Sequence, residues 1–164
     1  MSDYPLTPEV IQDTADKLSQ LEPGFLPLPI FLQITRLAVT SIVEVVPLRK
    51  NGDAVEVLLL KRPADDPHWP NQLHTPGTVL RPTDREHNYS DAFKRILNDE
   101  LGITTPQEPT FVTTVFHRVN RGTELALVFY LEIPGETASG DFYDSDKLPS
   151  GVVETQLEFI KASV

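Results

Sequence analysis

The stretch from Pro76 to Ile103, PGTVLRPTDREHNYSDAFKRILNDELGI, constrains the chain most, because it joins a Pro-Gly turn to a helix that must bury one face. Ala92, Phe93, Ile96, Leu97 and Leu101 recur at three- and four-residue spacing, which puts them on a common apolar stripe. Asp91, Lys94, Asn98 and Asp99 fall on or near the opposite face. Ser90 suits the N-cap, and Gly102 suits the position just past the C-terminus, where glycine takes the left-handed conformation without a Cβ penalty. Glu100 fits the pattern least well. It lies four residues after Ile96 and beside Leu101, at the margin of the buried stripe. A carboxylate there needs a partner, because an unpaired buried charge is costly. Either a divalent cation, which prefers hard oxygen ligands, or a nearby Arg or Lys would serve.

The rest of the chain suggests an α/β fold. Thr7-Pro8-Glu9 starts a helix that carries Val10, Ile11, Ala15, Leu18 and Leu21 toward Pro23-Gly24. The proline-punctuated run GFLPLPIF predicts a packed loop, followed by a short helix over 30–37. Residues 1–37 are thus expected to be a helical extension packed on a domain spanning 38–164. As well as a simple flap, this extension could be a homodimer interface or one wall of a ligand site. Strands are expected over 40–49 and 54–62, turned by Asn51-Gly52-Asp53, and over 110–119 and 125–133, turned by Asn120-Arg121-Gly122. The segment 134–146 predicts an acidic loop and 152–164 a closing helix.

Length and charge narrow the function. At 164 residues the chain is long enough for one well-buried domain. A net charge of −10 argues against binding nucleic-acid polymers, which needs a basic footprint, but not against a nucleotide held by a few local cations. Without cysteine there is no thiolate metal site and no cysteine nucleophile. The N-terminal sequence lacks the layout of a signal peptide, and no apolar run approaches the ~18 residues of a membrane span, so a cytoplasmic protein is expected.

Pro76-Gly77 followed by Arg95-Ile-Leu-Asn-Asp99-Glu100-Leu-Gly102-Ile103 resembles the Nudix box, G-x5-E-x7-R-E-U-x-E-E-x-G-U with U aliphatic. Arg95 matches the arginine, Leu97 and Ile103 the aliphatics, and Asp99 and Glu100 the paired acids. The departures are specific. Ile96 stands where the glutamate after the arginine belongs, His87 stands at the earlier glutamate, and the loop after Gly77 is four residues longer than in the pattern. Thr78 replaces a second glycine that is common after Gly77. The aliphatic residue after the arginine also gives a weak similarity to the GDP-mannose mannosyl hydrolase branch, whose late-loop histidine has no counterpart here.

The resemblance implies a Nudix-like α/β/α sandwich with a mixed sheet between helices, and a hydrolase acting on a nucleoside diphosphate linked to another group. It implies one Mg2+ or Mn2+ rather than a cluster, held by Glu100, the Gly77 carbonyl and Asp99. Arg95 would orient the helix carboxylates by pairing with Asp99. Arg62, ending an LLLKR strand as in the family, is the candidate phosphate contact, and His74 a second substrate-binding candidate. The box base being absent, His87, His74 or Glu136 would have to serve, with Asp141 and Asp144 as further acidic-loop candidates. Trp69 is expected to pack beneath the loop before the box; His68 is a further acid/base or phosphate candidate, set against the expectation, shared with His117, of a hydrogen-bonded histidine without a catalytic role. Three functions stay open: a hydrolase with an altered site, a nucleotide-binding or regulatory domain that has lost the chemistry, and an interaction domain with an acidic surface.

Overall fold

The computed structural model describes residues 5–85, 89–133, 135 and 139–164. Its elements run α1 (Pro8–Leu18), α2 (Leu28–Leu37), β1 (Val39–Asn51), β2 (Ala54–Lys61), β3 (Leu73–His74), β4 (Gly77–Val79), α3 (Ser90–Lys94), a π-helical turn (Arg95–Glu100), β5 (Thr110–Val119), β6 (Gly122–Glu132), β7 (Asp141–Asp144) and α4 (Gln156–Ser163). The long strands are the Val/Ile/Leu runs of the sequence, broken where expected at Gly52 (φ +62) and at Asn120–Gly122.

One seven-stranded mixed sheet organises these elements in the order β3-β2-β1-β6-β5, with β4 beside β1 and β7 beside β2. Strands β1 and β6 run parallel, and every other pair is antiparallel. Because successive side chains alternate faces, β1 feeds two cores. Val43 and Val45 pack with Ala92, Ile96, Leu97 and Leu101 beneath α3. Ile42, Val46 and Leu48 pack with Phe159 and Ile160 of α4. Burying each of the large aliphatics contributes ~1.5–3 kcal/mol. Helices on both faces of a mixed sheet are the expected sandwich.

The box helix departs from the expected regular α-helix. Tyr89 (φ 56) precedes it, Ser90 is its first helical residue rather than its cap, and its second half widens to i→i+5 bonding, with Leu101 N–H reaching the Ile96 carbonyl at 3.2 Å. Such turns are rare and are found often at functional sites. Gly102 (φ 69) ends it as expected. The segment expected as an acidic loop contains β7, which extends the sheet alongside β2. Its acidic composition hid a strand whose Phe142 packs on one core and whose Tyr143 packs on the other.

At the N-terminus, Thr7 accepts the Val10 N–H at 3.4 Å and Pro8 occupies the first turn of α1. None of the residues of α1 is buried, and Val10, Ile11 and Leu18 stay exposed. By contrast, α2 begins at Leu28, earlier than expected, and buries Thr35. Its close approach requires Gly122 (φ +154), where a Cβ would lie 2.0 Å from the Thr35 carbonyl oxygen.

Candidate active site

Gly77 sits where the candidate site is built. It lies opposite Glu44 in the antiparallel β1–β4 pair. A Cβ at Gly77 would come 2.4 Å from the Glu44 carboxyl carbon and 2.5 and 2.6 Å from its oxygens, so the Glu44 carboxyl fills the space a side chain would take. The Gly77 N–H donates to the Glu100 carboxylate. Two carboxyl groups from distant parts of the chain thereby meet at one glycine.

Neighbouring residues hold Glu44 in place. Thr75 Oγ1 donates to Glu44 Oε2 at 3.0 Å, and the Thr75 N–H donates to Gln156 Oε1 at 2.7 Å. His74 Nδ1 lies 2.7 Å from the Thr75 carbonyl. A carbonyl only accepts, so Nδ1 carries the proton. Burial, aided by Arg62, lowers the His74 pKa to about 4, leaving a neutral imidazole.

Electrostatically, burial outweighs the arginines near the pair. Burial pushes the Glu44 carboxyl up to about 8, opposed by the Thr75 hydroxyl and reinforced by Glu100. Burial likewise raises Glu100 to about 7, opposed by the Gly77 amide and by Arg62 and reinforced by Asp99. Arg62 reaches the site from the end of β2. Its Nε is buried without a hydrogen-bond partner, and its Nη1 lies 3.7 Å from Asp66. Trp69 does more than pack beneath its loop. The guanidinium carbon of Arg62 lies 5.6 Å from its ring centroid and that of Arg121 lies 5.3 Å away. Arg121 is anchored to the buried Glu124 at 2.5 Å, and His117 Nε2 stands 3.6 Å from the same carboxylate.

Other candidates lie elsewhere. Arg95 does not pair with Asp99. It holds Asp84 by two bonds of 2.5 and 2.9 Å and donates to the Val79 carbonyl at 3.1 Å. A turn bonded i→i+5 carries the residue four positions on out of alignment, and Asp84 from the preceding loop takes its place. Asp99 is exposed, and Ile96 is fully buried in the core under α3. Asp144 pairs with Lys147 at 3.1 Å. The side chain of His68 leaves its Nε2 buried without a partner. His87 and Glu136 lie outside the described residues.

Two grooves meet at the acid pair. The first, of ≈ 780 Å³, runs between residues 24–39 and the sheet and is lined by Phe25, Phe31, Glu44, Arg62, Arg81 and Arg121 among others. The second, of ≈ 870 Å³, is lined by Lys61, Arg62, His74, Glu100, Asp141 and Tyr143. Arg62 borders both. Among the described residues no three His, Cys, Asp or Glu side chains group as a metal cluster would need. Two carboxylates beside a backbone turn suit one hard cation that completes its shell with water. Glu44 was missed in the sequence reading, although one acid inside the apolar run SIVEVVPL is a visible signal.

No family model and no curated relative matches the sequence. Solved structures do match. The Nudix domain of Shewanella oneidensis NrtR, complexed with ADP ribose, is 16% identical with a TM-score of 0.60, covering 90% of this chain and 94% of that one. A mutT/nudix family protein from Listeria innocua is also 16% identical with a TM-score of 0.60, over 75% of this chain and 90% of that one. The C-terminal domain of mouse MUTYH, solved in complex with human PCNA, is 16% identical with a TM-score of 0.59, over 76% and 86%.

The fold is the Nudix fold.

In this chain the Pro76-Gly77 turn and the helical stretch over 90–100 bring Gly77 and Glu100 together. A Nudix fold does not by itself fix the chemistry. Among the described residues, no helix is long and apolar enough to cross a membrane.

Proposed function

We propose that this domain hydrolyses a nucleoside diphosphate linked to another group, using one Mg2+ or Mn2+ held at Glu44 and Glu100. The observation that carries this reading is the meeting of the buried Glu44 and the half-buried Glu100 carboxyls at Gly77, next to Arg62 and open to two grooves. Two acids that burial forces toward neutrality are ionised again by a cation, and no lysine or arginine bond to Glu100 occurs among the described residues. The Gly77 carbonyl is a further candidate ligand, whereas Asp99 would act only through its charge. A bound ion would neutralise diphosphate charge and lower the pKa of a water.

The chain's own residues would do the rest. Arg62 and Arg121 would hold the phosphates, with Arg62 kept in place by Asp66 and Trp69. Water would attack one phosphorus, the bridging P–O bond would break, and the two phosphorylated halves would leave through the two grooves. The proton of that water would pass to His87 or Glu136. His74 is neutral but too weakly basic to retain a proton at neutral pH, so its role would be to orient substrate through Nε2. Arg95 fixes the box loop through Asp84 and has no direct part in the chemistry.

A second reading is favoured by one observation. Ile96 puts a core side chain where the box glutamate would stand, so the domain could bind its nucleotide without turning it over. A screen of nucleoside diphosphate sugars, dinucleotides and nucleoside triphosphates, with and without Mg2+, separates the two. Metal-dependent release of nucleotide that disappears in Glu100→Gln supports the hydrolase. Tight binding that is indifferent to chelation, with no turnover on any compound, establishes the binding domain instead.

A further inference from the structure

Resting on the nucleotide reading above, we propose that the loop and helix before the sheet form the base-recognition wall, in which Phe25, with Arg81 against its ring, and Ile34 clamp the planar base of the nucleotide. Phe25 is 82% exposed, an unusual state for a phenylalanine inside a groove rather than on a convex face. The guanidinium carbon of Arg81 lies 5.6 Å from its ring centroid. Among the described residues the Arg81 side chain has no carboxylate partner; the nearby Asp84 takes only its backbone N–H, at 2.9 Å, and spends its side chain on Arg95.

The groove behind them has two chemistries. Toward α2 it is apolar, with Leu28, Phe31 and Ile34. Toward the sheet it is cationic, with Arg62, Arg81 and Arg121. Its ≈ 780 Å³ falls in the range of small-molecule sites. An occupant must therefore pair a flat apolar face with an anionic group a short distance away. A nucleoside phosphate does this, with the base against Phe25 and Ile34 and the phosphates reaching toward Arg62 and the acid pair. Base–aromatic stacking contributes where a flat ring meets an exposed side chain, and a guanidinium adds to it. The second groove, with Lys61, His74, Asp141 and Tyr143, offers hydrogen-bonding groups, and so suits a polar second half. The exposed Phe25 also follows from sequence: Pro27 and Pro29 end the loop and start α2, holding residues 24–26 away from the helix.

Trp69, the single tryptophan, lies against Arg62 and Arg121, so its emission would be the readout of phosphate binding. Titrations would use ADP-ribose, ADP and inorganic pyrophosphate, each with Mg2+, on the wild-type protein, Phe25→Ala and Ile34→Glu. Both substituted residues are exposed, so the fold should persist. The proposal expects about a tenfold weaker affinity for ADP-ribose and ADP in both variants, unchanged affinity for pyrophosphate, and saturation transfer from the protein strongest on the adenine protons. If pyrophosphate and ADP-ribose both bind but neither variant weakens the nucleotide, the clamp is refuted and the diphosphate site stands. If none of the three ligands binds, the nucleotide reading itself fails and the clamp falls with it.

Discussion

Replacing Glu44 by glutamine should make the protein more stable at alkaline pH, and the size of the gain follows from the site. Glu44 is 6% exposed, and burial raises its pKa from 4.5 to about 8. Between those two values the native state binds a proton that the unfolded chain has lost. Stability therefore falls as pH rises through this window, until Glu44 ionises in the native state as well. A shift of this size corresponds to on the order of 4 kcal/mol. Glu100, raised to about 7, steepens the same fall over a narrower range. Glutamine keeps the length and the acceptor for Thr75 but carries no proton to lose. Urea unfolding of the metal-free protein from pH 5 to 8.5 would show wild-type stability declining by several kcal/mol, a much flatter line for Glu44→Gln, and convergence of the two near pH 5. Saturating Mg2+ should flatten the wild-type line, because a cation favours both carboxylates in the native state. Parallel lines for wild type and variant in chelator would refute the claim that the buried carboxyl is held neutral.

Other positions give sharper structural tests. His74 should show no ring titration by NMR between pH 5 and 8, since its pKa lies near 4; its contribution to stability should be lost as pH falls from 6.5 toward 4, where the unfolded chain takes up the proton first. Ile96→Glu, which puts the glutamate of the Nudix pattern at this position, should not raise turnover and should lower the unfolding free energy by about 3 kcal/mol or more, because the position is fully buried under α3. Gly122→Ala should cost about 2–3 kcal/mol by driving α2 off the sheet, with loss of hydrogen-exchange protection confined first to α2.

Much of the fold was legible because local signals and burial agree. The Asn51-Gly52 turn, the two long hairpin pairs and the apolar stripe of the box helix each state their own geometry. Strand β7 was not legible, since Asp141 and Asp144 frame two aromatic residues with acids and the partner strand β2 lies some 80 residues earlier. The same distance problem affected the site. Gly77 and Glu100 pair through the resemblance of their stretch to the Nudix box. Glu44 joins them only through the β1–β4 register, which no local pattern encodes. Helical spacing pairs Arg95 with Asp99, but the widened turn redirects it to Asp84. The side that the sequence left most open, the N-terminal segment, proved to line the first groove with Phe25, Phe31 and Ile34.

The central claim is that Glu44 and Glu100 share one divalent cation. Mn2+ titration followed by electron paramagnetic resonance tests it without needing a substrate. One Mn2+ per chain in the wild-type protein, weakened at least tenfold in both Glu44→Gln and Glu100→Gln and unaffected in Asp144→Asn, is the result predicted. No bound Mn2+, or binding that survives both substitutions, would contradict it.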